Sequence, residues 1–277
     1  MNTKVVAAIF FFLSLSVLHA QNTNTLPKDR VVLSEDKHEE LFGRRSIPET
    51  DPDFEFKDLM TKFIFGEVAF TGNLDDQTQE LMTIVALATN QMLPQLRAHT
   101  GSALRIGVEP VQIKEAIYQC TPFIGYSRVL NALGVINEVF RDNNITLPLE
   151  SQKTITDEAR LTKGTEIQSS IYGTGMRDRL SGSSDSLGEA VSRFLTEWGF
   201  GDFYTRTGLD LQTRELVILI ALSTLGGTEI QLESHARGNI RVGNNKDTMI
   251  SALIQCLPHI GFPRVLNAIY IIQKIEE

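Results

Sequence analysis

The chain has 277 residues, 42% of them hydrophobic and 22% charged, and a formal net charge of -8. That length suits two domains of about 100–150 residues each. The acidic balance, with Lys and Arg scattered and never clustered, argues against a nucleic-acid binder, which needs a basic patch to meet phosphates.

The N-terminus reads as an export signal. Lys4 precedes a nearly continuous apolar run from Val5 to Leu18, and Leu18-His19-Ala20 then offers a small residue for cleavage before polar QNTNT. The pattern predicts a signal peptide over residues 1–20, and the run is short for a bilayer span. A periplasmic or secreted protein with no membrane anchor after cleavage is the expectation. Residues 21–35 are expected as a flexible leader.

Beyond it the chain presents one unit twice, over residues 36–140 and 157–277. Each unit opens with a helical stretch (36–45 and 157–172). A loop follows, with Pro48 and Pro52 in the first copy and many Gly and Ser in the second (173–188). An aromatic helix then ends near Gly66 or Gly201. Asp75 or Asp76, and Asp210 in the second copy, stand where an N-cap is wanted. The helix behind them reads QTQELMTIVALAT in one copy and QTRELVILIALST in the other. It is apolar nearly all round, which predicts a buried central helix. The next helix, about 94–106 or 229–242, meets Gly107 or Gly243, residues suited to a left-handed C-cap. Pro110 opens a helix over 111–121, a break is expected at Pro122/Gly125, and the last helix covers 127–140 or 263–276. Apolar residues recur at three and four, not at two, so the fold class is all-α. Two copies are too few for a solenoid. The units are therefore expected to pack on each other as a pseudo-dimer, joined by the polar linker 141–156.

The duplication supplies an internal comparison. The polar residues kept in both copies are Glu80/Glu215, Gln95/Gln231, His99/His235, Arg105/Arg241, Cys120/Cys256, Arg128/Arg264 and Asn131/Asn267. In each copy a carboxylate sits early in the buried helix and an imidazole on the next helix. Such a pair can orient a proton for acid–base work; it can equally be a structural pair helped by the helix dipole. Arg128 and Arg264 follow a Gly turn, where a guanidinium could clamp a carboxylate substrate or pair with an acidic neighbour. Gln95, Gln231, Asn131 and Asn267 could line a pocket or satisfy helix ends. Cys120 and Cys256 fall in two separate cores, so unpaired buried thiols are expected ahead of the alternatives, a disulfide or reactive thiols. The His and Cys spacing fits no metal site, and there is no CxxC, HExxH, P-loop or GxSxG.

The motifs LDxQTxEL, QLxxH and QCxPxIGxxRVLNA, in this order around a buried aliphatic helix, resemble the carboxymuconolactone decarboxylase family. The resemblance covers both units, roughly 54–140 and 188–277. It implies a helical fold shared with alkylhydroperoxidase D-like proteins, and family assembly in rings of dimers implies a homo-oligomer here, a trimer of tandem chains. In the alkylhydroperoxidase branch a CxxC pair lies between the Glu and the His. Those positions hold Met92 and Gln95 here and no cysteine in the second copy, so thiol peroxidase chemistry of that type is not expected. What remains implies a cofactor-independent lyase or isomerase acting on a small carboxylated or lactone-like substrate. In that reading Glu80, His99, Glu215 and His235 are catalytic, and Arg128, Arg264, Gln95, Gln231, Asn131, Asn267, Cys120 and Cys256 bind substrate. The alternatives are an antioxidant of the other branch and a non-catalytic binding protein on the same scaffold. An acidic residue of the third helix survives as Glu115 but becomes Ser251, and the Pro of the turn survives as Pro263 but becomes Ser127. Glu115 tilts the expectation slightly towards the first copy as the working one.

Overall fold

A computed structural model describes residues 29–43, 47–175 and 186–276. The predicted signal peptide and most of the Gly/Ser-rich loop lie outside them. Among the described residues the secondary structure is helical throughout, with no strand. No described helix is long and apolar enough to cross a membrane.

The first unit runs α1 (Arg30–Phe42), α2 (Phe54–Gly66), α3 (Asp76–Thr89), α4 (Leu93–Arg105), α5 (Pro110–Gln119), α6 (Thr121–Ile124) and α7 (Tyr126–Asp142). The second repeats it as α8 (Arg160–Tyr172), α9 (Ser186–Phe194), α10 (Leu211–Leu225), α11 (Glu229–Val242), α12 (Lys246–Ile260) and α13 (Phe262–Gln273). Two expectations need correction. Residues 30–35 are not leader: Asp29 caps α1 by accepting from Val31 N and Val32 N, so the helix starts earlier. The break before the last helix falls at Gly125, with its counterpart at Gly261, but the one placed at Pro122 falls at Cys120 in the first copy and is absent from the second, where α12 runs through Pro258.

The central helices form as the sequence predicts. Asp75 and Asp210 each accept from a backbone N–H, Thr78 N and Thr213 N, both at 2.7 Å. Every residue from Gln79 to Thr89, and from Arg214 to Thr224, is buried. The reason is packing on all sides. α3 lies against α4, α10 and α12, and α10 lies against α3, α11 and α12, with α5 and α6 also touching it. One apolar core therefore spans both units. A Cβ on Gly66 would collide with the Arg30 carbonyl, and one on Gly201 with the Arg160 carbonyl. These two close approaches seat α2 on α1, and the stretch after α9 on α8, in equivalent ways.

Where the copies differ is the approach to the central helix. α2 is a regular helix, whereas α9 runs on into a π-helical stretch, Leu195–Tyr204. π-helical turns occur often at functional sites.

Candidate functional site

Each unit brings its expected Glu and His together. His99 Nδ1 lies 2.9 Å from Glu80 Oε2 and 3.2 Å from Oε1. His235 Nδ1 lies 3.0 Å from Glu215 Oε2. All four side chains are buried. Each His is held edge-on between two rings. One comes from the end of its own unit's first helix: Phe42 at 5.5 Å from His99, Tyr172 at 5.2 Å from His235. The other comes from the opposite unit: His259 at 5.5 Å from His99, Phe123 at 5.1 Å from His235. Each site is thus completed by the partner repeat.

The second site holds two groups the sequence reading missed. Tyr172 Oη donates to Glu215 Oε2 at 2.6 Å and stands 2.6 Å from His235 Nδ1. Tyr204 Oη donates to Glu215 Oε1 at 2.6 Å. Burial and the neighbouring negative charge raise both tyrosines well above the ordinary phenol value, so they stay protonated and act as donors. The Glu215 carboxylate, fully enclosed, therefore accepts from two hydroxyls and the imidazole N–H. That arrangement fixes the proton on Nδ1 and leaves the lone pair of His235 on Nε2, which meets no protein partner among the described residues. In the first copy the matching residues are Phe42 and Ala69, neither with a hydroxyl, and among the described residues Glu80 keeps His99 alone.

The two clefts also differ in space. Beside His235 is a cavity of about 90 Å³. Pro122, Phe123, Leu195 and Phe200 supply its apolar wall; Gln168, Tyr172, Tyr204, Ser234 and His235 supply its polar one. The equivalent cleft beside His99 measures about 10 Å³, at the threshold for a single water. Ile64 stands there in place of Gly199, and its bulk closes the space.

The other expected site residues are not brought to either pair. Arg128, Asn131, Gln95 and Gln231 are exposed. Asn131 Nδ2 donates to Gln91 Oε1, and Gln91 Nε2 donates to the Arg128 carbonyl, so this corner braces the end of α3. Arg264 donates to Asn90 Oδ1 across the units, in a separate cleft with Asn267. Arg241 holds the Ile171 carbonyl at the end of α8. Cys120 and Cys256 are unpaired and fully buried, donating to the Ala116 and Met82 carbonyls. Burial pushes the Cys120 thiol up to about 12 and the Cys256 thiol higher still. Neither can reach a ligand or present a thiolate at neutral pH. Glu115 lies in the joint between the units: Arg206 binds it with Nε and Nη2 at 2.9 and 2.7 Å, and buried Arg214 approaches at 3.4 Å. Its survival gives no reason to favour the first pocket. Among the described residues no group of three His, Cys, Asp or Glu side chains could hold a metal ion.

The model of the carboxymuconolactone decarboxylase family matches residues 55–138 and 189–274. The chain belongs to that family, twice over. The 4-carboxymuconolactone decarboxylase of Acinetobacter baylyi is 25% identical over 121 residues, which is 44% of this chain and 90% of that protein. It is therefore about one unit long. A solved chain from Burkholderia xenovorans, provisionally named a gamma-carboxymuconolactone decarboxylase subunit, aligns over 87% of this chain and 96% of its own length at 22% identity and a TM-score of 0.53. That likeness carries the fold, and it is with a chain of tandem length.

Proposed function

We propose that the protein is a cofactor-independent acid–base catalyst, a lyase or isomerase related to the decarboxylases, and that it works in the second unit on a small carboxylated or lactone-like molecule. The observation that carries this is the His235 imidazole, oriented by Glu215 and Tyr172 at the wall of a cavity large enough for a small ring. Held this way, His235 can remove a proton from bound substrate or return one to a carbanion. The electrons rest meanwhile on the substrate's own conjugated carbonyl, so the reading calls on no cofactor.

The decisive comparison is between the two histidines. His235→Ala should lower turnover of an unsaturated lactone by roughly 10²–10⁴-fold, while His99→Ala should keep most of it, with helical circular dichroism unchanged in both. Equal losses would sink the assignment to the second unit. The thiol-antioxidant alternative has buried thiols against it. If Cys120→Ser with Cys256→Ser abolished peroxide consumption, that alternative would return.

Two further parts belong to this proposal. Export rests on the apolar run after Lys4 and is checked by N-terminal sequencing of the mature protein. A homo-oligomer, the trimer of tandem chains, is supported by matching exposed apolar pairs, Tyr126 and Leu130 in α7 with Phe262 and Leu266 in α13. A sedimentation mass equal to one chain would rule it out.

A further inference from the structure

We propose that the cavity of the second unit takes an uncharged carbonyl compound the size of a small lactone, with Gln168 donating to its carbonyl oxygen and His235 as the base beside it. This rests on the acid–base reading above and narrows its substrate class.

Three observations carry it. First, among the described residues no Lys or Arg lines the cavity. Arg264, the retained guanidinium on the same unit, is committed to Asn90 in a different cleft, and Arg128 is exposed in the first turn of α7. A carboxylate brought into an apolar cleft without a cation loses its hydration with nothing to replace it. A neutral molecule carries no such cost.

Second, Gln168 is 3% exposed, so its amide is shut away from bulk water. The Thr196 hydroxyl stands 2.7 Å from its Oε1 and 3.1 Å from the Ser192 carbonyl, and the shorter contact holds the amide plane. Among the described residues the hydrogen bond of this side chain is made at Oε1, and the side chain forms part of the cavity wall. A ligand carbonyl entering the cavity would give this amide N–H an acceptor. An amide N–H is a neutral donor, suited to a carbonyl oxygen that gains charge during reaction.

Third, the first unit lacks this donor. His38 stands at the equivalent place on α1, with its ring packed against Phe42 and Phe65. The amide and the open space are thus lost together in the closed cleft.

The chemistry balances within the substrate. The C–H bond next to the carbonyl breaks and its proton goes to His235 Nε2. The electron pair moves into the conjugated enolate, whose oxygen is held by Gln168 Nε2–H. The imidazolium then returns the proton to the far carbon of the enolate. The product is the double-bond isomer, with no oxidant, reductant or second reactant.

The test uses two lactones of the same ring size: α-angelica lactone, which is neutral, and the analogue carrying a carboxymethyl arm in place of the methyl. Binding is followed by ligand-observed NMR, and proton transfer by ultraviolet absorbance and deuterium uptake from heavy water. The full chain should bind and isomerise the neutral lactone and favour it at least tenfold over the charged one. Gly199→Ile, which fills the cavity, should release it. Gln168→Glu keeps the oxygen that Thr196 holds and removes the amide donor; it should cut the isomerisation rate about a hundredfold. Wild-type rate in Gln168→Glu, failure of the neutral lactone to bind, or preference for the charged lactone would each overturn the inference. Deuterium uptake into the charged lactone alone would leave the acid–base reading standing. Binding of the neutral lactone with Gly199→Ile release but no deuterium uptake would do the reverse: the neutral-carbonyl site would stand and the acid–base reading would fall.

Discussion

The two units share a Glu–His pair to within 0.1 Å, and little else around it is the same. In the first, Glu80 faces one partner, the flanking ring is Phe42, and Ile64 closes the cleft. In the second, Glu215 accepts from Tyr172 and Tyr204 as well as His235, and Gly199 leaves room. The pair alone therefore does not tell the two units apart. What separates them is the set of neighbours around the carboxylate and the space beside the imidazole.

The largest expected effect tests how the units are joined. Glu115 has a counterpart in Ser251, and Arg214 has one in Gln79. On one side of the joint a buried ion pair bridges the units; on the other the Ser251 hydroxyl accepts from Asn73 N at 3.2 Å. Glu115→Ala should destabilise the fold by roughly 3–5 kcal/mol, because Arg214 is left charged and enclosed. Glu115→Ser combined with Arg214→Gln copies the opposite side and should recover much of that loss in a denaturant titration. A double variant as unstable as the single would mean that the ion pair does more than bridge.

Next in size is the exchange of space. Gly199→Ile gives the second cleft the residue that closes the first. The nearest atom to a new Cβ is Leu195 Cδ1 at 3.6 Å, so the helix should tolerate it. Turnover should fall about a hundredfold or more while the melting temperature moves little, since substrate can no longer be positioned. Retained turnover would place the chemistry elsewhere. A smaller effect is expected of Tyr204→Phe. It removes one of three donors to a buried carboxylate, worth roughly 1.5–3 kcal/mol, and a calorimetric scan would read it.

Much of this was legible in the sequence, for identifiable reasons. The N-caps at Asp75 and Asp210 and the all-round apolar helices behind them are local signals, and they formed as expected. The Glu–His pairs were legible because both members lie on adjacent helices joined by a tight turn. Tyr172, Tyr204 and Gln168 were not, because comparing the copies keeps only what both retain. The first copy has Phe42, Ala69 and His38 there, so the comparison discards the residues that distinguish the open site. The same filter promoted Arg128, Arg264, Asn131 and the two cysteines. In the structure Asn131 and Arg264 brace helix ends and the two cysteines fill cores, while Arg128 offers its backbone carbonyl. Retention across a pseudo-two-fold reports packing as readily as chemistry.

The smallest effect expected concerns acid stability, and it contrasts the two rings that cross between units. Phe123 reaches His235 and has no charge to gain; His259 reaches His99 and does. Burial, and then the nearby His99, push His259 down to about 3 from its ordinary 6.5. The folded protein therefore keeps His259 neutral through a range in which the unfolded chain takes up a proton. The unfolded state binds more protons there, so stability is complete above about pH 6.5 and declines as pH falls towards 3. The groups around it do not supply a fixed negative partner to reverse this sign: His99 is the nearest titratable ring, and Lys37, Asp76 and Glu80 in the same cleft are tied to partners of their own. His259→Phe installs the ring that the opposite turn already uses, and it keeps an edge-on contact for His99. Denaturant midpoints measured at pH 7 and pH 4 should lie closer together in the variant than in the parent. Equal shifts in the two proteins would trace the acid sensitivity to another group, and the two crossing rings would then differ in shape alone.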